Sequence, residues 1–138
     1  ARAQMVEEII RPYLKEGYIV LLDRYADSTL AYQGYGHQND LDLIRKLLDF
    51  ATGNLWPDLT LLLDIPAEVG LRRRQEGKGE WNRMDAYPVQ YHERVRNGYL
   101  KMAAEEPQRW RKVNADRPPD VVQSELRDLL LSYLSNLS

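Results

Sequence analysis

The stretch Gly17-Tyr18-Ile19-Val20-Leu21-Leu22-Asp23-Arg24-Tyr25 sets the expected fold class. Ile19 to Leu22 form an unbroken apolar run, the pattern of a short strand buried on both faces, and charge arrives at once at Asp23 and Arg24. Gly17 suits the left-handed residue that closes a helix, and upstream of it Met5, Ile9, Ile10, Tyr13 and Leu14 recur at helical spacing. Pro12 lacks a backbone donor and presses on the preceding turn, which predicts a kink near the end of that helix.

Downstream the alternation continues. Leu41, Ile44, Leu47, Leu48 and Ala51 mark a second helix, opened by Asn39 or Asp40 and closed by Gly53-Asn54. Leu59 to Leu63 read as a second buried strand ending in Asp64, and Pro66 opens a helix reaching about Arg74. Gln75 to Asn82 turn polar and carry two glycines, which predicts a mobile lid over about 74–85. A long helix from about Tyr87 to Glu105 follows, stopped by Pro107; Tyr87, Tyr91 and Tyr99 fit packing on its buried face. Trp110 to Asn114 read as a weaker strand, and Val122, Leu126, Leu129, Leu130, Tyr133, Leu134 and Leu137 form the stripe of an amphipathic helix. Buried strands alternating with helices predict an α/β fold, a parallel sheet covered by helices on both faces.

With 138 residues, 43% of them hydrophobic, the chain suits one domain over 1–138. A formal charge of −2 gives no general attraction to a nucleic acid polymer. The apolar runs Tyr18–Leu22 and Leu59–Leu63 fall far short of the roughly 20 residues a membrane helix needs, so a soluble, cytoplasmic protein without a membrane partner is expected. The chain has no cysteine, and His37 and His92 have no clustered partner, which leaves no zinc site or catalytic triad to assemble. Ala1-Arg2-Ala3 enters the helical pattern without an initiator Met or a capping residue, so further residues are expected ahead of it.

In parallel α/β sheets, ligands gather beyond the carboxyl ends of strands, which is where Asp23 and Arg24 stand in this reading. A carboxylate there can hold Mg²⁺ through water, and a guanidinium can grip a phosphate with two charge-assisted hydrogen bonds. Taken alone, the same residues fit equally a structural ion pair closing the strand. Ser28, Thr29, Tyr32 and Gln33 then add a polar set close behind.

The whole string Asp23-Arg-Tyr-Ala-Asp-Ser-Thr-Leu-Ala-Tyr-Gln33-Gly34 resembles the signature of thymidylate kinases. The resemblance implies that Arg24 binds the dTMP phosphate and that Asp23 is the carboxylate near the metal. It further implies that Thr29 and Gln33 read the pyrimidine edge, that Ser28 orients them, and that Tyr32 lies against the sugar. Arg2 resembles the family's thymine-contacting arginine on the preceding helix. The stretch from Trp56 to Arg74 resembles the family's next strand and helix, with Arg73 near the adenine of ATP and Arg72 and Arg74 solvated. Residues 72–83 carry Arg72, Arg73, Arg74, Lys78 and Arg83 against Glu76 and Glu80. Arg83, in Trp81-Asn82-Arg83-Met84-Asp85, resembles the lid arginine that reaches the ATP phosphates during transfer, although Asn82 stands where many relatives have aspartate. As plain surface chemistry, Arg83 and Asp85 would form an exposed ion pair.

The resemblance thus implies phosphoryl transfer from ATP to dTMP with Mg²⁺, a homodimer, and a P-loop nucleoside monophosphate kinase fold. No G-x-x-x-x-G-K-[ST] string occurs in the chain. The expectation is therefore the C-terminal two-thirds of such a fold, incomplete at its N-terminus and inactive by itself. Two rival readings are a deoxyribonucleoside kinase, which also uses an acid-arginine strand end, and a non-catalytic nucleotide-binding domain.

Overall fold

The computed structural model describes residues 2–77 and 86–137, and they gather into two compact units, Ala1–Pro57 and Asp58–Ser138. Arg83, Asn82 and most of the expected lid fall outside the described residues.

In the first unit, helix α1 (Arg2–Met5) runs into a wide π-type segment (Val6–Ile10) and on into α2 (Arg11–Lys15). Ahead of Pro12, where a kink is expected, the helix widens: the Arg11 N–H donates to the Val6 carbonyl, five residues back. Pro12 presses its ring on the carbonyl four residues earlier, and a wider turn just ahead of it relieves that clash. Gly17, at φ 90°, closes the helix as its position predicts.

Helix α3 (Ala26–Thr29) likewise opens into a second wide segment (Leu30–Gly36), and α4 (Leu41–Thr52) follows. Asp40 caps α4: its Oδ1 accepts from the Asp42 N–H at 3.0 Å and the Leu43 N–H at 3.2 Å. Gly53 and Asn54, at φ 60° and 61°, end it in left-handed conformations. Val6, Ile10, Tyr25, Leu30, Ala31 and Leu48 form the core of this unit. Gly34 seats the second wide segment against α4, since a Cβ there would lie 2.6 Å from Leu41 Cδ2 and 3.3 Å from Leu30 Cδ1.

One expectation is overturned. Ile19 to Leu22 are not a strand; they run as irregular chain, with Ile19 61% and Leu21 77% exposed. A strand needs a ladder partner for its backbone groups, and among the described residues only two strands pair, both in the second unit. Apolar composition alone does not make a strand.

The second unit holds β1 (Thr60–Asp64), α5 (Ala67–Glu76), α6 (Val89–Glu105), β2 (Trp110–Asn114) and α7 (Pro119–Ser135). The two strands are parallel, with Thr60 opposite Trp110 and Asp64 opposite Asn114. The ladder extends through Thr60 N–H to Arg109 O and Ala115 N–H to Asp64 O, each 2.8 Å. Helix α6 lays Tyr91, Val95 and Met102 into the core beside Leu62, Trp110 and Val113. Fully burying a side chain such as Val113 contributes about 1.5–3 kcal/mol.

The second unit corrects four further details. Leu63 is half exposed, so β1 is not buried on both faces. Helix α5 continues past Arg74 through Gln75 to Glu76, and α6 starts at Val89, leaving Tyr87 outside it. Helix α7 carries the expected stripe, with Val122 buried and Leu126, Leu129, Leu130, Tyr133 and Leu134 half-buried, but Leu137 lies beyond the helix end. The fold class is α/β, mostly helical with a two-stranded parallel sheet among the described residues. No helix among them is long and apolar enough to cross a membrane.

Asp40→Ala removes both cap bonds of α4 and is expected to lower stability by about 1 kcal/mol. Chemical denaturation of parent and variant, followed by circular dichroism, measures that difference.

Candidate active site

The polar set predicted from sequence lies along one stretch of the first unit. Asp23 and Arg24 form a bend, Tyr25 precedes α3, and the chain passes through Ser28 and Thr29 into the wide segment carrying Tyr32 and Gln33. Arg24 has φ 71°, a left-handed backbone conformation rare for a residue with a side chain. Its guanidinium carbon stands 5.2 Å from the centre of the Tyr32 ring, within cation–π range. Strain of this kind persists only where the surroundings hold it, and it concentrates at ligand-binding positions.

A second pair forms across 27 residues of sequence. Arg2 Nη1 donates to Thr29 Oγ1 at 2.8 Å, and the Arg2 guanidinium carbon lies 5.8 Å from the centre of the Tyr25 ring. The wide segment at Val6–Ile10 follows Arg2, and the one at Leu30–Gly36 follows Thr29. Two of the three arginines predicted to touch substrate and described here are therefore each stacked on a tyrosine of the same stretch. Ser28 is half-buried, whereas Asp23 and Gln33 are exposed and open to a ligand.

Tyr25 joins these parts. Its ring is buried and its hydroxyl donates to the Leu55 carbonyl at 3.0 Å. Burial pushes the phenol above its ordinary pKa, with Arg2 and Arg11 pulling the other way. Tyr25 does not stand out in the sequence as a site-building residue; its signal there is an aromatic set inside a polar string. Asp27, only 6% exposed, is equally inconspicuous. Nothing in its sequence context distinguishes it from a solvated aspartate, because burial of a carboxylate is decided by the fold.

Arg73 lies in the second unit, on α5. Its Nη1 donates to the Ala115 carbonyl at 2.8 Å, and its Nη2 stands 3.5 Å from Asp116. These contacts hold it beside the chain leaving the carboxyl end of β2. Arg72 and Arg74 are exposed, as is His37. His92 is half-buried on α6. Among the described residues no group of three or more His, Cys, Asp or Glu side chains could enclose a metal ion. Asp23 offers a single exposed carboxylate, which suits Mg²⁺, an ion that keeps several waters and leans on substrate phosphates.

Comparison with known proteins adds an independent finding. A family model described as Thymidylate kinase matches residues 1–126. The thymidylate kinase of Roseiflexus castenholzii (strain DSM 13941 / HLO8) is 46% identical over 99% of this chain and 65% of its own length. That of Roseiflexus sp. (strain RS-1) is 45% identical over 100% of the chain and 66% of its own. That of Thermomicrobium roseum (strain ATCC 27502 / DSM 5159 / P-2) is 53% identical over 88% of the chain and 58% of its own. The chain thus spans about two-thirds or less of the length of these relatives.

Two outcomes are expected from the geometry. With the side chain removed, Arg24→Gly should be more stable than Arg24→Ala by about 1 kcal/mol, reversing the usual order, because only glycine takes a left-handed backbone without penalty; paired thermal melts read the difference. Tyr25 has a raised pKa, so its contribution to stability is complete below the ordinary phenol value near 10 and is lost as pH rises through the raised value. Tyr25→Phe should accordingly flatten the fall in stability above about pH 10, measured by denaturation across an alkaline series.

Proposed function

The chain belongs to the thymidylate kinase family, and on that footing we propose that the full-length protein transfers the γ-phosphoryl group of ATP to dTMP, giving dTDP and ADP. The observation that carries the reading is Arg24, held at φ 71° with its guanidinium over Tyr32, in the same short stretch as the Arg2–Thr29 pair.

In this reading Arg24 grips the dTMP phosphate through charge-assisted hydrogen bonds and orients its oxygen for attack. Thr29, Gln33 and Arg2 recognise the thymine edge, and Ser28 orients them. A wrong base is rejected because donors and acceptors in the site are left unpaired, about 1–3 kcal/mol for each buried group. Tyr32 packs against the deoxyribose and at the same time supports Arg24 from behind. The hydrogen bond between Arg2 and Thr29 supports this assignment, since it keeps the two recognition groups together before the base arrives.

Arg73 lies along the adenine of ATP, and Arg83 belongs to a lid over about 74–85 that brings positive charge to the moving phosphoryl oxygens. Asp23 would hold, through water, the Mg²⁺ that enters with ATP, and that ion would supply neutralisation of the phosphate charge. The same proposal includes a P-loop nucleoside monophosphate kinase fold, with a larger parallel sheet covered by helices on both faces. Residues 1–138 would make up the C-terminal two-thirds of that single domain. The phosphate-cradling loop lies outside these residues, since they contain no such string. A homodimer acting in the cytoplasm, where ATP and dTMP are supplied, completes the reading.

A coupled ADP-release assay tests it. The full-length protein should turn over dTMP and leave thymidine untouched, while residues 1–138 alone should show no turnover. Arg24→Gln in the full-length protein should lower kcat/KM for dTMP about 100-fold, the loss of one to two hydrogen bonds to a charged group. Phosphorylation of thymidine in preference to dTMP would point to a nucleoside kinase and end this reading.

A further inference from the structure

A helix leaves its last carbonyls without partners from its own ladder, and how they are satisfied decides how firmly the final turn is held. The wide segment Leu30–Gly36 ends on carbonyls that are taken up one after another by the turn behind it. The His37 N–H donates to Tyr32 O at 3.1 Å, and the Asn39 N–H to Gly34 O at 3.0 Å. Between them, Asn39 Nδ2 donates to Gln33 O at 2.8 Å. Asn39 therefore holds two successive carbonyls, one with its main chain and one with its side chain.

The next residue, Asp40, caps α4 with its own carboxylate. The turn is further constrained by Gln38, which sits at φ 58°, left-handed without being glycine. On the other side of the wide segment, Gly34 allows a close seat against Leu41 of α4. The segment bearing Tyr32 and Gln33 is thus tied to α4 at its end and packed against it at Gly34.

We propose that Asn39 is a positioning residue for dTMP recognition: its side-chain amide fixes the backbone of Gln33, and through it the angle at which Tyr32 and Gln33 meet the nucleoside. The proposal rests on the dTMP kinase reading above and deepens it. It places a determinant of substrate affinity at an exposed residue that acts through the backbone of Gln33. Its hydrogen bond can be removed without opening a cavity in the core.

The test uses the full-length protein and three proteins in parallel: parent, Asn39→Ala and Asn39→Asp. Loss of one hydrogen bond should raise KM for dTMP about three- to tenfold in Asn39→Ala. Asn39→Asp keeps the shape but turns an oxygen toward the Gln33 carbonyl, and should raise it at least as much. Both variants should keep kcat and KM for ATP within about twofold of the parent, the pattern of a change confined to the acceptor side. The inference is overturned if KM for dTMP is unmoved in both variants. It is equally overturned if KM for ATP rises in step, or if kcat alone falls together with the melting temperature, since a merely structural role would do that. A parent that fails to turn over dTMP would instead bring down the functional reading itself, and that result is seen before either variant is assayed.

Discussion

The buried ring of Tyr25 is the constraint on which the first unit's candidate site depends. Its hydroxyl is anchored on Leu55, its face receives Arg2, and the chain just before it takes the left-handed turn at Arg24. An arginine does not adopt φ 71° by preference; the conformation is about 1–2 kcal/mol above the right-handed alternative. Packing of the neighbouring residue has to supply that amount, and a buried aromatic side chain is well able to do so. The outcome is that a long, flexible side chain starts from a defined point on the backbone and its weakly hydrated guanidinium rests on Tyr32.

The two wide helical segments belong to the same local problem. Wide turns of this kind are uncommon and gather where side chains must be aimed in directions an ordinary α-helix does not provide. Here one lies just after Arg2 and the other contains Tyr32 and Gln33. The first is explained by Pro12. The second is accommodated by Gly34, whose missing side chain leaves room for Leu41 and Leu30, and by the turn at residues 37–39 that satisfies its final carbonyls.

The second unit follows a different logic. Its two parallel strands are joined through α5 and α6, and a bidentate pair from Arg96 to Asp64, at 2.9 and 3.1 Å, ties α6 to the carboxyl end of β1. The hydrogen bonds it donates to Asp64 hold the Arg96 guanidinium above its ordinary pKa, against the opposing pull of burial. Arg73 is held in the same region by Ala115 and Asp116. Its place beside the chain after β2 follows from side-chain pairing and could not be read from the run of arginines at 72–74.

Residue types and short spacings were sufficient for whatever is local. A cap at Asn39 or Asp40, Gly17 and Gly53 as helix ends, Pro107 as a stop, and the strands ending at Asp64 and Asn114 all depend on neighbours a few residues away; the structure then chose Asp40 as the cap. The string from Asp23 to Gly34 that identifies the family is local in the same way. Tertiary structure alone decided whether Ile19 to Leu22 would be a strand, because ladder partners are supplied by distant chain. It alone brought Arg2 to Thr29, buried Asp27 and turned the Arg24 backbone left-handed. Each of these depends on where separate segments meet in space, and a linear sequence records the partners without recording the meeting.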